Sequence, residues 1–153
     1  MRKRYAVIGL GGRGFGMFAR PLVEEYADVA EVVAFCDVNR HRMNLANRML
    51  GTSIATYTDA AAMIAEARPD AVAIATVDRT HHTYIIQALE AGCEVITEKP
   101  MTTTAENVRA ILDAERRTGG KVKVSFNARY GPPEEELKRQ LNAGVIGSLV
   151  SVD

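Results

Sequence analysis

Short apolar runs alternate with longer amphipathic segments along most of the chain. The apolar runs occupy residues 4–9, 29–37, 53–57, 71–76, 94–98 and 121–127. Several have no polar interruption, as in Ala71-Val72-Ala73-Ile74-Ala75, which is the pattern of a strand covered on both faces in a parallel sheet. Between them, apolar positions at helical spacing predict helices over 14–26, 39–50, 59–67, 80–91 and 104–118. Punctuation agrees with these bounds. Asp59 precedes an alanine-rich run and reads as an N-cap. Gly92 and Gly119-Gly120 follow helical runs and read as C-terminal stops. Repeated strand–helix–strand units of this size predict an α/β fold: a doubly wound parallel sheet with right-handed crossovers, in three α/β/α layers.

The tail changes character. Pro132-Pro133 opens a predicted helix over 134–142, closed by Gly144 and Gly147, and an apolar strand is expected to start at Ser148 and run to Asp153. The division expected is a Rossmann domain over 1–125, then a connecting helix and a first strand over 126–153 that lead toward a further domain.

With 153 residues, the chain is long enough to bury a sizeable core in one domain. Its 19 basic and 19 acidic residues cancel, so charge gives no reason to expect nucleic acid or an anionic membrane as partner. No apolar run approaches the roughly 20 residues of a membrane span. The opening Met1-Arg2-Lys3-Arg4 followed by apolar residues is signal-peptide-like, but the five glycines between Gly9 and Gly16 break the apolar stretch. Cys36 and Cys93 each sit in an apolar run without the spacing of a zinc or redox motif, and are expected to be buried free thiols in a reducing cytoplasm.

The candidate chemistry begins at the first strand. Tyr5-Ala6-Val7-Ile8-Gly9-Leu10-Gly11-Gly12-Arg13-Gly14 is strand, then G-x-G-x-x-G, then helix. Gly9 permits the sharp turn, Gly11 leaves room for a pyrophosphate, and Gly14 allows close helix–strand packing. Gly12 and Arg13 fill the variable positions; Arg13 either pairs with the pyrophosphate or is solvated. The second strand ends at Asp37, the right place for an acid that accepts hydrogen bonds from the adenosine ribose hydroxyls. Its competing role is as a cap for the next helix. A 2′-phosphate about 4 Å from that carboxylate would meet repulsion of about 4 kcal/mol per unit charge at an effective dielectric of ~20. NAD(H) is therefore expected over NADP(H), although Arg40 could soften the repulsion.

Three polar clusters are expected at the carboxyl edge of the sheet, where such folds bind ligands: Thr76 to His82, Glu98-Lys99-Pro100, and Asn127-Ala128-Arg129-Tyr130. With Val7 to Gly14, Asp37, Ala88-Leu89-Glu90-Ala91-Gly92 and Gly144-Val145-Ile146-Gly147, these stretches make the chain resemble the N-terminal domain of the glucose–fructose oxidoreductase/inositol dehydrogenase (Gfo/Idh/MocA) family. The resemblance covers essentially the whole chain, and Glu-Lys-Pro is its most specific part.

That resemblance implies hydride transfer between NAD and a sugar, cyclitol or polyol carbon. It makes Lys99 the catalytic lysine beside nicotinamide and substrate, with the following proline in a cis peptide or tight turn. Thr76 is similar to the family's threonine near the nicotinamide ribose, and His81 to the histidine of its Thr-Pro-Asn-x-x-His motif. Val77 and Asp78 depart from that motif. Glu98 either bonds the cofactor or pairs with Lys99. Arg129 and Tyr130 face either the substrate or a neighbouring domain. His81 and His82 are expected to pack at a helix start, and no metal is expected. Members carry a C-terminal substrate domain, so the chain is expected to be a truncated piece that binds NAD(H) but turns over sugars poorly, and the full-length protein to be a homo-oligomer. The alternatives are an NAD-dependent glycoside hydrolase of the same family and a stand-alone NAD-sensing module.

Overall fold

A computed structural model describes residues 1–151. Six parallel strands form one sheet: β1 Lys3–Ile8, β2 Ala30–Cys36, β3 Ala55–Tyr57, β4 Ala71–Ile74, β5 Glu94–Glu98 and β6 Val122–Ser125. Their order is β3-β2-β1-β4-β5-β6. The chain winds outward from β1 in one direction, then returns to start the other half at β4. That reversal leaves a crevice between the ends of β1 and β4, the switch point where open α/β sheets bind ligands.

Helices cover both faces. After β1, a π-helical turn, Gly14–Ala19, runs into α1, Arg20–Glu24. Pro21 explains the π turn. It has no N–H to return to the preceding turn, and the widened turn, with Arg20 N–H donating to the Phe15 carbonyl, puts the proline at the start of a fresh α-helical turn. The other helices are α2 Arg40–Leu50, α3 Ala60–Ala67, α4 His81–Glu90, α5 Ala105–Thr118 and α6 Pro132–Asn142. Asp59 caps α3 by accepting from Ala62 N–H, and Thr104 caps α5 by accepting from Asn107 N–H. Gly92 and Gly119 stop α4 and α5 in the left-handed conformation.

The two-residue period of the strands sorts the core into two layers. Ala6, Ile8, Val72 and Ile74 pack against Met63, Ile85, Leu89 and Ile111 of α3, α4 and α5. Val7, Phe35 and Ala73 face the other way, against Ala19, Met43 and Ala46. Both cysteines are free and buried. Among the described residues, no helix is long and apolar enough to cross a membrane.

The tail differs from the sequence-based expectation. α6 has no buried residue, and Leu137, Val145, Ile146 and Val150 are exposed. Residues 148–151 form no strand. A strand exists only with a partner to complete its hydrogen bonds, and no described strand lies beside this segment. Val152 and Asp153, the rest of the expected strand, lie outside the described residues.

Candidate functional site

The glycine loop is built by crowding on one side and openness on the other. Gly9 has φ +90°, and a Cβ there would lie 2.6 Å from the Ala75 carbonyl oxygen. A Cβ on Gly14 would lie 1.7 Å from the Gly9 carbonyl oxygen, so the opening helical turn can sit this close to the strand end only with glycine there. A Cβ on Gly11 or Gly12 would meet nothing within 4 Å, so these two residues face open space. The first helical hydrogen bond is from Phe15 N–H to the Gly11 carbonyl, at 2.9 Å. The N–H groups of Gly12, Arg13 and Gly14 precede it without an intrahelical acceptor and lie beside that space, an arrangement suited to an anion.

Among the described residues, four polar or charged residues are buried: Asp37, His81, Thr97 and Glu98. All lie at or next to the carboxyl edge of the sheet, and burial there is tolerable only because their polar groups are bonded. Asp37 Oδ2 accepts from Leu10 N–H at 2.7 Å, and Oδ1 accepts from Asn39 N–H at 2.8 Å. Asn39, not Asp37, caps α2, by accepting from His41 N–H. Asp37 instead ties the end of β2 to the glycine loop and presents its carboxylate to a cleft of about 410 Å³. Gly9, Gly11, Val38, Thr76 and Tyr84 also line this cleft. The cation beside Asp37 is Arg42, at 3.7 Å. Arg42 lines the cleft and Arg40, one position into α2, does not. Cys36 also lines it, with its thiol pushed up to about 11, first by burial and then by Asp59 and Asp37.

A second cleft, of about 400 Å³, is lined by Arg13, Ala75, Thr76, Asp78, Glu98, Lys99 and Asn127. It meets the first at Ala75 and Thr76. Glu98 is gripped from two sides. Arg13 Nη2 donates to its Oε1 at 3.0 Å, and the Lys99 backbone N–H donates to its Oε2 at 3.1 Å. Glu98 therefore bonds the Lys99 main chain, while the exposed Lys99 side chain lines the cleft. The Lys99–Pro100 peptide bond is cis.

Thr76 lines both clefts, and its Oγ1 lies 2.9 Å from Thr80 Oγ1. His81 is fully buried behind the cleft wall, its ring nitrogens 2.9 Å from the Pro100 carbonyl and 3.1 Å from the Thr76 carbonyl. Arg129 and Tyr130 stand exposed beyond β6, with the Arg129 guanidinium 5.7 Å from the Tyr130 ring centre, and neither lines either of these two clefts. The edge thus unites Gly9, Gly11, Asp37, Thr76, Glu98 and Lys99 along two joined clefts, with Gly12, Arg13 and Gly14 in the loop that borders them. Sequence reasoning missed Arg42 as a lining residue, and placed Asp78 and Asn127 at the ligand-binding edge without giving them a role. Arg40 and Arg42 share one helical turn, and spacing alone could not choose between them.

An oxidoreductase family with an NAD-binding Rossmann fold matches residues 3–126. Inositol 2-dehydrogenase from Paracoccus denitrificans is 33% identical over 99% of this chain and 45% of its own length. D-Apiose dehydrogenase from Paraburkholderia graminis is 34% identical over 88% of this chain and 36% of its own. The crystal structure of myo-inositol dehydrogenase from Lactobacillus casei in complex with NAD(H) and myo-inositol is similar at 30% identity, with a TM-score of 0.84, covering 97% of this chain and 43% of that one. The chain spans less than half the length of these curated relatives.

Proposed function

Because the chain belongs to the Gfo/Idh/MocA oxidoreductase family and forms its NAD-binding Rossmann domain, we propose that it is the cofactor-holding part of a dehydrogenase acting on a sugar, cyclitol or polyol carbon. The observation that carries this reading is the pair of clefts joined at Thr76, with Asp37 on one and Lys99 on the other. Asp37 would hold the adenosine ribose. The free N–H groups at the start of the opening helical segment would hold the pyrophosphate, with room above Gly11 and Gly12. Thr76 and Glu98 would border the nicotinamide ribose.

When bound, the dinucleotide supplies a carbon that accepts or returns hydride. The protein's share is to orient the substrate and manage a proton. Lys99 Nζ would donate a hydrogen bond to the substrate hydroxyl, where negative charge grows as the carbon is oxidised. The Glu98 carboxylate fixes the Lys99 main chain, and Asp78 and Asn127 would meet the substrate from the same cleft. Arg129 and Tyr130 would approach it from beyond β6.

Residues 1–125 are the cofactor domain in this proposal. Residues 126–153 lead into the substrate-binding part of a longer protein, against which the exposed Leu137, Val145 and Ile146 would pack. The full-length protein is proposed to be a homo-oligomer, and the buried free thiols favour a cytoplasmic setting.

Calorimetric titration with NADH and NADPH tests the reading. Wild type should bind NADH in preference to NADPH. Asp37→Ala should weaken NADH binding and narrow the gap to NADPH by about tenfold or more, given the repulsion expected between a carboxylate and a 2′-phosphate. Equal affinities for NADH in wild type and variant would remove Asp37 from the site.

A further inference from the structure

His81 reaches neither cleft, yet it touches the backbone of both loops that border the second one. It is the first residue of α4 and is fully buried. One ring nitrogen, Nδ1, lies 2.9 Å from the Pro100 carbonyl, directly after Lys99 in sequence. The other, Nε2, lies 3.1 Å from the carbonyl of Thr76, where the two clefts meet. Both partners are main-chain oxygens and a neutral ring has one N–H to donate, so in the Nδ1–H tautomer it holds the Pro100 carbonyl while Nε2 rests beside the Thr76 carbonyl, and neither nitrogen is presented to a ligand. The Thr76 end is braced independently, by Thr80 Oγ1 against Thr76 Oγ1 and by Thr80 Oγ1 donating to the Val77 carbonyl at 2.7 Å. The Lys99 end is held from its other side by Glu98. Glu98 bonds the Lys99 N–H and not the Pro100 carbonyl, so beyond Lys99 the segment depends on His81.

We propose that His81 is a positioning residue for the nicotinamide half of the site: through the Pro100 carbonyl it sets the distance between the Lys99 segment and Thr76. The inference rests on the proposed cofactor function. It predicts a loss confined to one half of the dinucleotide. Asp37 and the glycine loop, which would hold the adenosine and pyrophosphate, are anchored to each other at Leu10, whereas the His81 ring meets the Pro100 and Thr76 carbonyls.

Calorimetric titration of the purified protein with NADH and with ADP-ribose, which lacks the nicotinamide ring, separates the two halves. The variants are His81→Phe, which fills the space without nitrogens, His81→Asn, whose amide N–H replaces the Nδ1 donor to Pro100, and His81→Gln, whose amide reaches the Nε2 position beside Thr76 instead. His81→Phe should lose about tenfold in NADH affinity, the worth of one hydrogen bond, with ADP-ribose affinity unchanged. His81→Asn should keep the NADH preference, and His81→Gln should lose it.

A parallel fall for both ligands in His81→Phe would mark general damage to the fold and overturn the proposal. So would an unchanged NADH affinity. Should His81→Phe fail to fold, the Asn and Gln variants decide, and equal preference for NADH in these two would overturn it. Equal binding of NADH and ADP-ribose by wild type would instead sink the proposed function, and this inference with it.

Discussion

The Arg13 guanidinium donates to the Glu98 carboxylate at 3.0 Å, joining the glycine loop to the end of β5. The pair is lopsided: the Glu98 side chain is 7% exposed and that of Arg13 is 48% exposed. A buried carboxylate needs a partner more than a half-exposed guanidinium does. The contact couples the predicted pyrophosphate loop to the Glu-Lys-Pro segment, which are far apart in sequence.

Arg13→Ala should therefore destabilise the fold, by about 1–2 kcal/mol once solvent around the guanidinium is allowed for. Glu98→Gln should relieve most of that cost in the double variant, because no buried charge is then left alone. Urea unfolding of the two single variants and the double variant checks this as a mutant cycle. Additive losses would mean that the two side chains do not share an energy.

Two glycines of the π-helical turn, Gly14 and Gly16, should behave in opposite ways. Gly14→Ala places a Cβ 1.7 Å from a backbone oxygen of Gly9, which no rotamer can relieve, and should prevent native folding or cost several kcal/mol. Gly16→Ala meets nothing within 4 Å and should be neutral or stabilising by up to about 1 kcal/mol. Thermal melts of the pair check this. A stable, native-like Gly14→Ala would show that the loop can open away from β1.

Much of this arrangement is legible in the sequence, because it rests on local rules. Apolar runs, several of them continuous, marked all six strands, Asp59 marked the start of α3, and glycine spacing marked the loop. The Asp37 position at the end of β2 followed from the same pattern. What spacing could not show is where side chains turn. Arg13 reaches Glu98, Arg42 rather than Arg40 reaches Asp37, and His81 turns inward to two carbonyls. Each choice depends on rotamers and on residues far away in the chain. The expected strand from Ser148 failed for a related reason: an apolar pattern specifies a strand only where a neighbour is available to pair with it.

Cys36 offers a check on the electrostatics of the first cleft. Its thiol is pushed up from 9.0 to about 11, by burial first and then by the carboxylates of Asp59 and Asp37. The reactive thiolate should be scarce below that value, and alkylation by iodoacetamide at pH 8 should run about 100-fold slower than for an unperturbed thiol. The rate should keep rising with pH until about 11. Asp37→Asn removes one of the two charges and should shift the profile slightly downward. A plateau near pH 9 would mean that the cleft is wetter than the packing around Cys36 implies.

The role proposed for Lys99 separates binding from chemistry. Its side chain lines the second cleft, whereas Asp37 and the glycine loop border the first. An ammonium that stabilises charge developing on a substrate oxygen acts in the transition state more than in the cofactor complex. Lys99→Ala in the full-length protein should therefore cut turnover by about 100-fold or more, the usual scale for a positioned acid–base group, while NADH affinity changes by less than about threefold. Lys99→Arg keeps a cation but enlarges it and fixes its charge, so it should leave NADH binding intact without restoring turnover. Stopped-flow measurement of NADH formation, beside calorimetric titration of NADH, checks both halves. If turnover survives the alanine change, proton management lies elsewhere in the cleft, and Asp78 becomes the side chain to test next.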